Sequence, residues 1–441
     1  MKLSTRLRAT LCTLTGTTGP VVRRAGARAV LPEVFVPRWA RLAGVPPARL
    51  AAQLDGARSF ADREWCEYWT GIAEHHVAQA DALLHDLAVA SGVTPVSVAA
   101  MSRSGSAALP GPAAQFLAER ESPPTTAEVE RFVRSRAVGG ALDERLLWAT
   151  RAVGALRTAV GYHLIAAWPG RSPARRAAYA RAQRLFRVLV EPLAAELGIT
   201  LEVTDLVADG ERVRLWAMFP IGKDCRATVL VTNGLDGSAL ELLLPLLPHR
   251  NSGLGFVVMD LPGTHTAQRP MSIESERVFT AVLDHLAAHP RVDADRIAML
   301  GTSFGGYWAA RMAAVESRLR CAVACGAPTH RGFGPAAAIG APAIMVRTLC
   351  DVTGARGPLG LGRALSRLSL RKLYRRIAIP LLVVDGSADS VVDVRDSIEL
   401  ADATRFGVLR LYPGDDHCAT GHFAQWLDMA VAWMRAELGE S

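Results

Sequence analysis

Ile297-Ala298-Met299-Leu300-Gly301-Thr302-Ser303-Phe304-Gly305-Gly306-Tyr307-Trp308-Ala309-Ala310-Arg311-Met312 carries the strongest signal in the chain. Four apolar residues make a short buried strand, and the run from Gly306 onward has the composition of a helix. Between them lies G-x-S-x-G. Alone that pattern is a weak match, because glycine-rich connectors are common. At a strand-to-helix junction it becomes specific. A sharp elbow needs small residues on either side of the serine, and it lifts the hydroxyl clear of the sheet at the N-terminal end of a helix. Ser303 is the candidate nucleophile.

A serine hydroxyl needs a base to activate it and a carboxylate to orient the base. Both can be sought downstream, after later strands. Leu381–Val384 runs into Asp385-Gly386-Ser387-Ala388-Asp389, and Val408–Leu411 runs into Tyr412-Pro413-Gly414-Asp415-Asp416-His417. The order serine, acid, histidine, each after its own strand, makes Asp389 the candidate acid and His417 the candidate base. Asp385 and Asp393 compete for the acid, although Asp385 is still at the strand end and Asp393 is past the turn. His422 competes with His417 but falls where the last helix begins. Asp415 and Asp416 read as loop carboxylates that shape the turn.

An oxyanion formed at Ser303 needs two N–H donors. One is expected from Phe304, the residue after the nucleophile. The other is expected from Asn233-Gly234-Leu235-Asp236-Gly237, with Leu235 favoured and Gly234 the alternative. Asp260 reads as structural, while His265 could reach the mouth of a pocket. His76, on an apolar helix face, reads first as packing and is kept as a substrate-side candidate. Tyr162-His163, Trp65, Tyr68 and Trp69 read as core.

Working outward, Leu201–Val207 and Val213–Phe219 alternate around Asp209-Gly210, a hairpin signal. Short apolar runs then alternate with helix-length segments, at Ala227–Thr232, Gly255–Met259, Ile297–Leu300, Cys321–Cys325, Leu381–Val384 and Val408–Leu411. Continuous apolar strands spaced by helices predict a mostly parallel, doubly wound α/β sheet over residues 199–441. Thr329 to Arg376 is longer than a plain crossover and is compatible with an addition to a lid. Residues 59–198 read as a helical domain: Ala61 to Ala90, Val129 to Trp168 and Ser172 to Leu197 have helical periodicity. Ser102 to Pro124 reads as loop. Residues 1–58 read as a flexible or loosely packed leader.

The chain has 441 residues, half of them hydrophobic, and a net charge of +8. The arginines are scattered, so solvated helix faces explain the charge better than nucleic acid does. Seven cysteines without a CxxC pair are neither a disulfide framework nor a zinc site and suit a reducing, cytoplasmic setting. Ala9 to Val22 is broken by threonines, glycines and a proline, so no signal peptide is expected, and no stretch is long enough for a membrane span.

With these residues placed, the chain resembles the α/β-hydrolase family of the fermentation–respiration switch protein and 2,6-dihydroxypseudooxynicotine hydrolase. The likeness rests on Asn233 to Ser238, Val292 to Ile297, Gly301 to Tyr307 and Gly414 to Cys418. In the helical part it rests on Tyr162 to Pro169 and Arg175 to Tyr179. It implies an α/β-hydrolase fold whose N-terminal helices cap a buried cleft. It also implies cleavage of an ester or a ketone-adjacent C–C bond in a mid-sized substrate of the polyketide or secondary-metabolite kind, without cofactor or metal. Asn233 and Thr264-His265 depart from the family pattern. Two other functions are compatible with the same pocket: a lyase eliminating an acyl group, and a regulator that kept the fold. The partner expected is a small molecule, and a homodimer is compatible with the sequence.

Overall fold

The computed structural model of the protein describes residues 3–101, 111–119, 126–136, 142–222, 226–334 and 340–439. Eight strands form one sheet: β1 (Ile199–Ala208), β2 (Glu211–Pro220), β3 (Arg226–Thr232), β4 (Gly255–Met259), β5 (Val292–Thr302), β6 (Leu319–Cys325), β7 (Leu381–Gly386) and β8 (Gly407–Tyr412). Their order is β1-β2-β4-β3-β5-β6-β7-β8. The expected hairpin joins β1 to β2. Asp209 and Gly210 both have positive φ, 48° and 76°, as a tight two-residue hairpin requires.

β2 runs antiparallel to β4, and from β4 to β8 every pairing is parallel. β3 and β4 are buried along their whole length, which is why they read as unbroken apolar runs. The parallel register has a functional consequence. Thr232 pairs with Gly301, Thr302 with Cys325, and Cys325 with Val384. The strand ends are therefore flush, and the loops that follow them emerge side by side on one edge.

The helical region ahead of β1 is built around the helices Asp62–Ala90, Glu144–Ala167 and Pro173–Val190. Three expectations need correction here. Residues 1–58 are not a loose leader: Thr18–Ala25, Phe35–Ala43 and Pro47–Gly56 are helices, with Phe35, Trp39, Leu50 and Leu54 buried. The reason is packing. Phe35 and Trp39 join Trp65 and Trp168 in an aromatic cluster with ring centroids 4.8–6.0 Å apart. Gly161 lets the two backbones close up, since a Cβ there would meet Leu42 O at 2.4 Å.

Second, the helix expected over Val129 to Trp168 is two helices, Thr126–Arg136 and Glu144–Ala167. The later one starts at Asp143, whose carboxylate caps Leu146 N–H at 3.1 Å. Third, within Ser102 to Pro124 the residues Gly111–Glu119 are helical rather than loop, and the rest of that stretch lies outside the described residues. Between β6 and β7 the long connection carries the helices Ala343–Thr353 and Gly357–Arg367.

Among the described residues no helix is long and apolar enough to cross a membrane. Cys12, Cys66, Cys321, Cys325, Cys350 and Cys418 are free thiols.

Candidate active site

The serine sits where β5 ends and the helix Phe304–Val315 begins, with φ 55° and ψ −121°. Such backbone is strained for a residue with a side chain, and it persists only where neighbours hold it. Here Ser303 N–H donates to Cys325 O at 2.7 Å, and Ser303 O accepts from Tyr307 N–H at 3.0 Å. The flanking glycines are obligatory by contact distance. A Cβ on Gly301 would lie 1.9 Å from Gly305 O, and one on Gly305 would lie 2.2 Å from Thr232 O.

The loop after β7 brings Asp389 to the loop after β8. Asp389 Oδ2 is 2.6 Å from His417 Nδ1, and its Oδ1 accepts from Val391 and Val392 N–H at 2.7 and 2.8 Å. Burial works against a charged imidazole, yet the Asp389 carboxylate outweighs it and holds His417 well above the ordinary histidine value. Asp416 ties the two loops together, accepting from His417 N–H and Ser390 N–H, each at 2.7 Å. His417 also lies across Gly326, where a Cβ would be 3.0 Å from its Cε1. Gly326 directly follows Cys325, the residue that accepts from Ser303 N–H.

The competitors are elsewhere or otherwise engaged. Asp385 accepts from Ser397 Oγ at 2.7 Å and from Gly386 N–H at 2.9 Å. Burial, with the Asp389 charge nearby, pushes its carboxyl well above the usual range. Asp393 is bound to Arg395. His422 is half-exposed, hydrogen-bonded to Asp415 at 2.8 Å and stacked on Tyr412. Asp385, Asp389 and His417 offer ligand atoms within 4.8 Å of one another, the spacing of a cation site. Asp385, buried and already accepting from two donors, is a poor ligand there.

On the oxyanion side, Gly234 packs on the serine: a Cβ there would meet Ser303 Cβ at 2.9 Å. Asn233 Nδ2 donates to Gly234 O at 2.7 Å, while Asn233 Oδ1 accepts from Leu261 N–H at 3.2 Å. In a trans peptide the N–H points opposite to the C=O. Fixing Gly234 O therefore fixes the direction of Leu235 N–H. Neither Leu235 N–H nor Phe304 N–H has an acceptor among the described residues, and Phe304 opens its helix, where N–H groups are free by construction. The departure at Asn233 thus has a physical role that its residue type alone did not reveal.

His265 is buried, with φ 44°. Its Nε2 is 2.8 Å from Gly237 O, its ring lies 4.3 Å from Tyr179, and its Nδ1 has no partner. It braces the loop after β3 from outside. Asp260 accepts from Ala239 N–H at 2.7 Å and from Tyr179 OH at 2.9 Å. His76 is stacked on Tyr162 at 5.6 Å, and burial lowers its pKa. A cleft of about 460 Å³ opens beside β2 and the Asp260–Pro270 loop, with Arg212, Arg214 and Arg269 on its wall. Ser303, Asp389 and His417 do not line it.

Sequence reasoning missed Arg38 and Trp168. Arg38 Nη1 lies 2.9 Å from Asp236 Oδ2, its Nε lies 2.6 Å from Glu241, and Trp168 Nε1 donates to the same Asp236 oxygen at 2.7 Å. The available signal was Phe35, Trp39 and Leu42 at helical spacing, closed by Gly44.

A flush parallel sheet with a serine elbow after β5 and an Asp–His pair after β7 and β8 is the α/β-hydrolase fold. Residues 150–438, more than half of the chain, match the model of the FrsA-like esterase family, and the chain belongs to that family. Esterase FrsA of Vibrio cholerae is 28% identical over 230 residues, covering 48% of this chain and 53% of that protein. The chain thus spans about half the length of the curated relatives it matches. Among solved structures, 2,6-dihydroxy-pseudo-oxynicotine hydrolase superposes with a TM-score of 0.61 at 19% identity, over 91% of this chain and 95% of that one. AbyA5 superposes with a TM-score of 0.56 at 25% identity, over 72% and 89%.

Proposed function

We propose that this chain is a serine hydrolase acting on an ester, or a ketone-adjacent C–C bond, of a mid-sized organic substrate. The observation that carries the reading is the Asp389–His417 hydrogen bond next to a strained serine elbow. Ser303 Oγ attacks the carbonyl carbon and gives its proton to His417 Nε2. Asp389 holds the Nδ1–H tautomer and stabilises the imidazolium. The carbonyl oxygen becomes an oxyanion received by Phe304 and Leu235 N–H. Collapse breaks the bond to the leaving group, which takes the proton from His417. Water then repeats the sequence and releases the acid. The helices before β1 act as the cap over Ser303 and His417, with residues 18–56 part of that cap.

The test is reaction of wild type and Ser303→Ala with a fluorophosphonate probe and with p-nitrophenyl esters. The reading expects labelling at Ser303 and an ester burst, both lost in the variant. A folded wild type that neither labels nor turns over esters would overturn it. Turnover of the native substrate retained in Ser303→Ala would favour elimination with His417 as base.

A further inference from the structure

We propose that the N-terminal helix Phe35–Ala43 is a working part of the catalytic site, with Arg38 as a positioning residue for the oxyanion loop and Arg41 as one for the histidine loop. This inference rests on the hydrolase reading above and extends it to residues far from the chemistry in sequence.

Arg38 and Arg41 are one turn apart, so they leave the helix on one face. Arg38 spans Asp236 and Glu241, with Nη2 3.0 Å from Glu241 Oε2, so one guanidinium grips both ends of the segment that follows Leu235. Only a planar fork with several donors can bridge two carboxylates in this way. Asp236 is 9% exposed and its Oδ2 takes both the Arg38 and the Trp168 N–H, so the loop is held by a desolvated carboxylate. Gly237 is tight against the same group: a Cβ there would meet Arg38 Nη2 at 3.2 Å. Asn233 fixes the loop upstream of Leu235, and Arg38 with Trp168 fixes it downstream. The donor between them has little freedom left.

Arg41 reaches the other loop. Its Nη1 donates to Thr420 O at 3.4 Å, and its guanidinium sits 3.6 Å over the Phe423 ring. Thr420 Oγ1 in turn donates to His417 O at 2.6 Å. One rigid helix therefore spans the donor side and the base side of the site. A displacement of about 1 Å at such groups is enough to cost ~10²-fold in rate.

The experiment compares Arg38→Ala, Arg38→Lys, Asp236→Asn and Arg41→Ala with wild type, and with Arg28→Ala as a surface control. Rates are normalised to the burst-titrated concentration of active sites, so unfolded protein does not count. Arg38→Ala is expected to lower kcat per site by roughly 10- to 100-fold at nearly unchanged KM. Added guanidinium should restore part of the loss in that variant and none in wild type. Arg38→Lys should be intermediate, and Asp236→Asn should give a similar loss by a milder change, because it keeps an acceptor for Trp168. Hydrogen exchange should speed up in the 233–241 peptide for Arg38→Ala and in the 415–423 peptide for Arg41→Ala. Unchanged kcat per site and unchanged exchange in Arg38→Ala would overturn the proposal. An inert wild type would sink the hydrolase reading, and the exchange data would then decide the clamp by themselves.

Discussion

The elbow and the N-terminal helix hold the same site by opposite means. At the elbow the constraint is mainly steric: Gly301 and Gly305 leave about 2 Å for an added carbon, and backbone hydrogen bonds hold Ser303 without any charged side chain. At the helix Phe35–Ala43 the constraint is carried by charged side chains, Arg38 through ion pairs and Arg41 through a carbonyl and an aromatic ring. Steric constraint is all-or-none, since backbone cannot yield by an ångström. Constraint by charged side chains is graded, because a weaker partner still holds in part. The contrast predicts a steep response to change on one side of the site and a tunable one on the other.

The steepest outcome belongs to the elbow. Gly305→Ala should abolish activity outright and lower the yield of folded protein, measured by thermal melting and active-site titration, whereas a tolerated alanine would break the steric half of the contrast. Asp389→Asn comes next, with kcat expected to fall by about 10⁴-fold through loss of the productive tautomer. Its pH profile carries a second signal. His417 must be neutral to act as base, and Asp389 raises its pKa, so wild-type kcat/KM should fall as pH drops through a midpoint above 6.5. In Asp389→Asn that midpoint should move to lower pH.

Trp39→Ala tests the helix without touching its arginines. Removing a buried indole costs about 3–5 kcal/mol, read as a shift in the denaturant midpoint, with ester turnover falling alongside as the helix loosens. The smallest effect is expected at Asp385→Asn, within a few-fold of wild type, because burial already disfavours the charged carboxylate. The sign on stability is definite. The folded pKa lies above the unfolded one, so ionisation penalises the fold as pH rises above about 4. The variant should therefore gain in melting temperature relative to wild type from there up to the folded pKa. Equal losses from Asp385→Asn and Asp389→Asn would erase the distinction between the two carboxylates.

Much of the sheet was legible because its physics is local. Apolar runs bounded by turn residues gave every parallel strand, and the positive-φ pair Asp209-Gly210 gave the hairpin. The placement of Ser303, Asp389 and His417 followed from strand order, and the structure brings Asp389 and His417 together. What was not legible depends on long-range partners. Phe35, Trp39 and Leu42 had helical spacing, yet a nine-residue helix flanked by prolines and arginines cannot be told from a loose leader until Trp65 and Trp168 are there to receive it. The role of Asn233 was likewise hidden, because a side chain that orients the next peptide leaves no periodic trace. The break before Glu144 was missed for the converse reason, since periodicity runs on through a cap as short as Asp143.

The separations across the helix Phe35–Ala43 bear on how the molecule is made. Arg38 meets Asp236 across 198 residues, and Arg41 meets Thr420 across 379. During synthesis Arg38 meets its loop about halfway along the chain, whereas Arg41 waits until nearly all of it has been made. A growing polypeptide that has already formed its serine elbow would still lack a braced base. On the hydrolase reading Ser303 then has no base until the last strand and the loop that carries His417 have emerged.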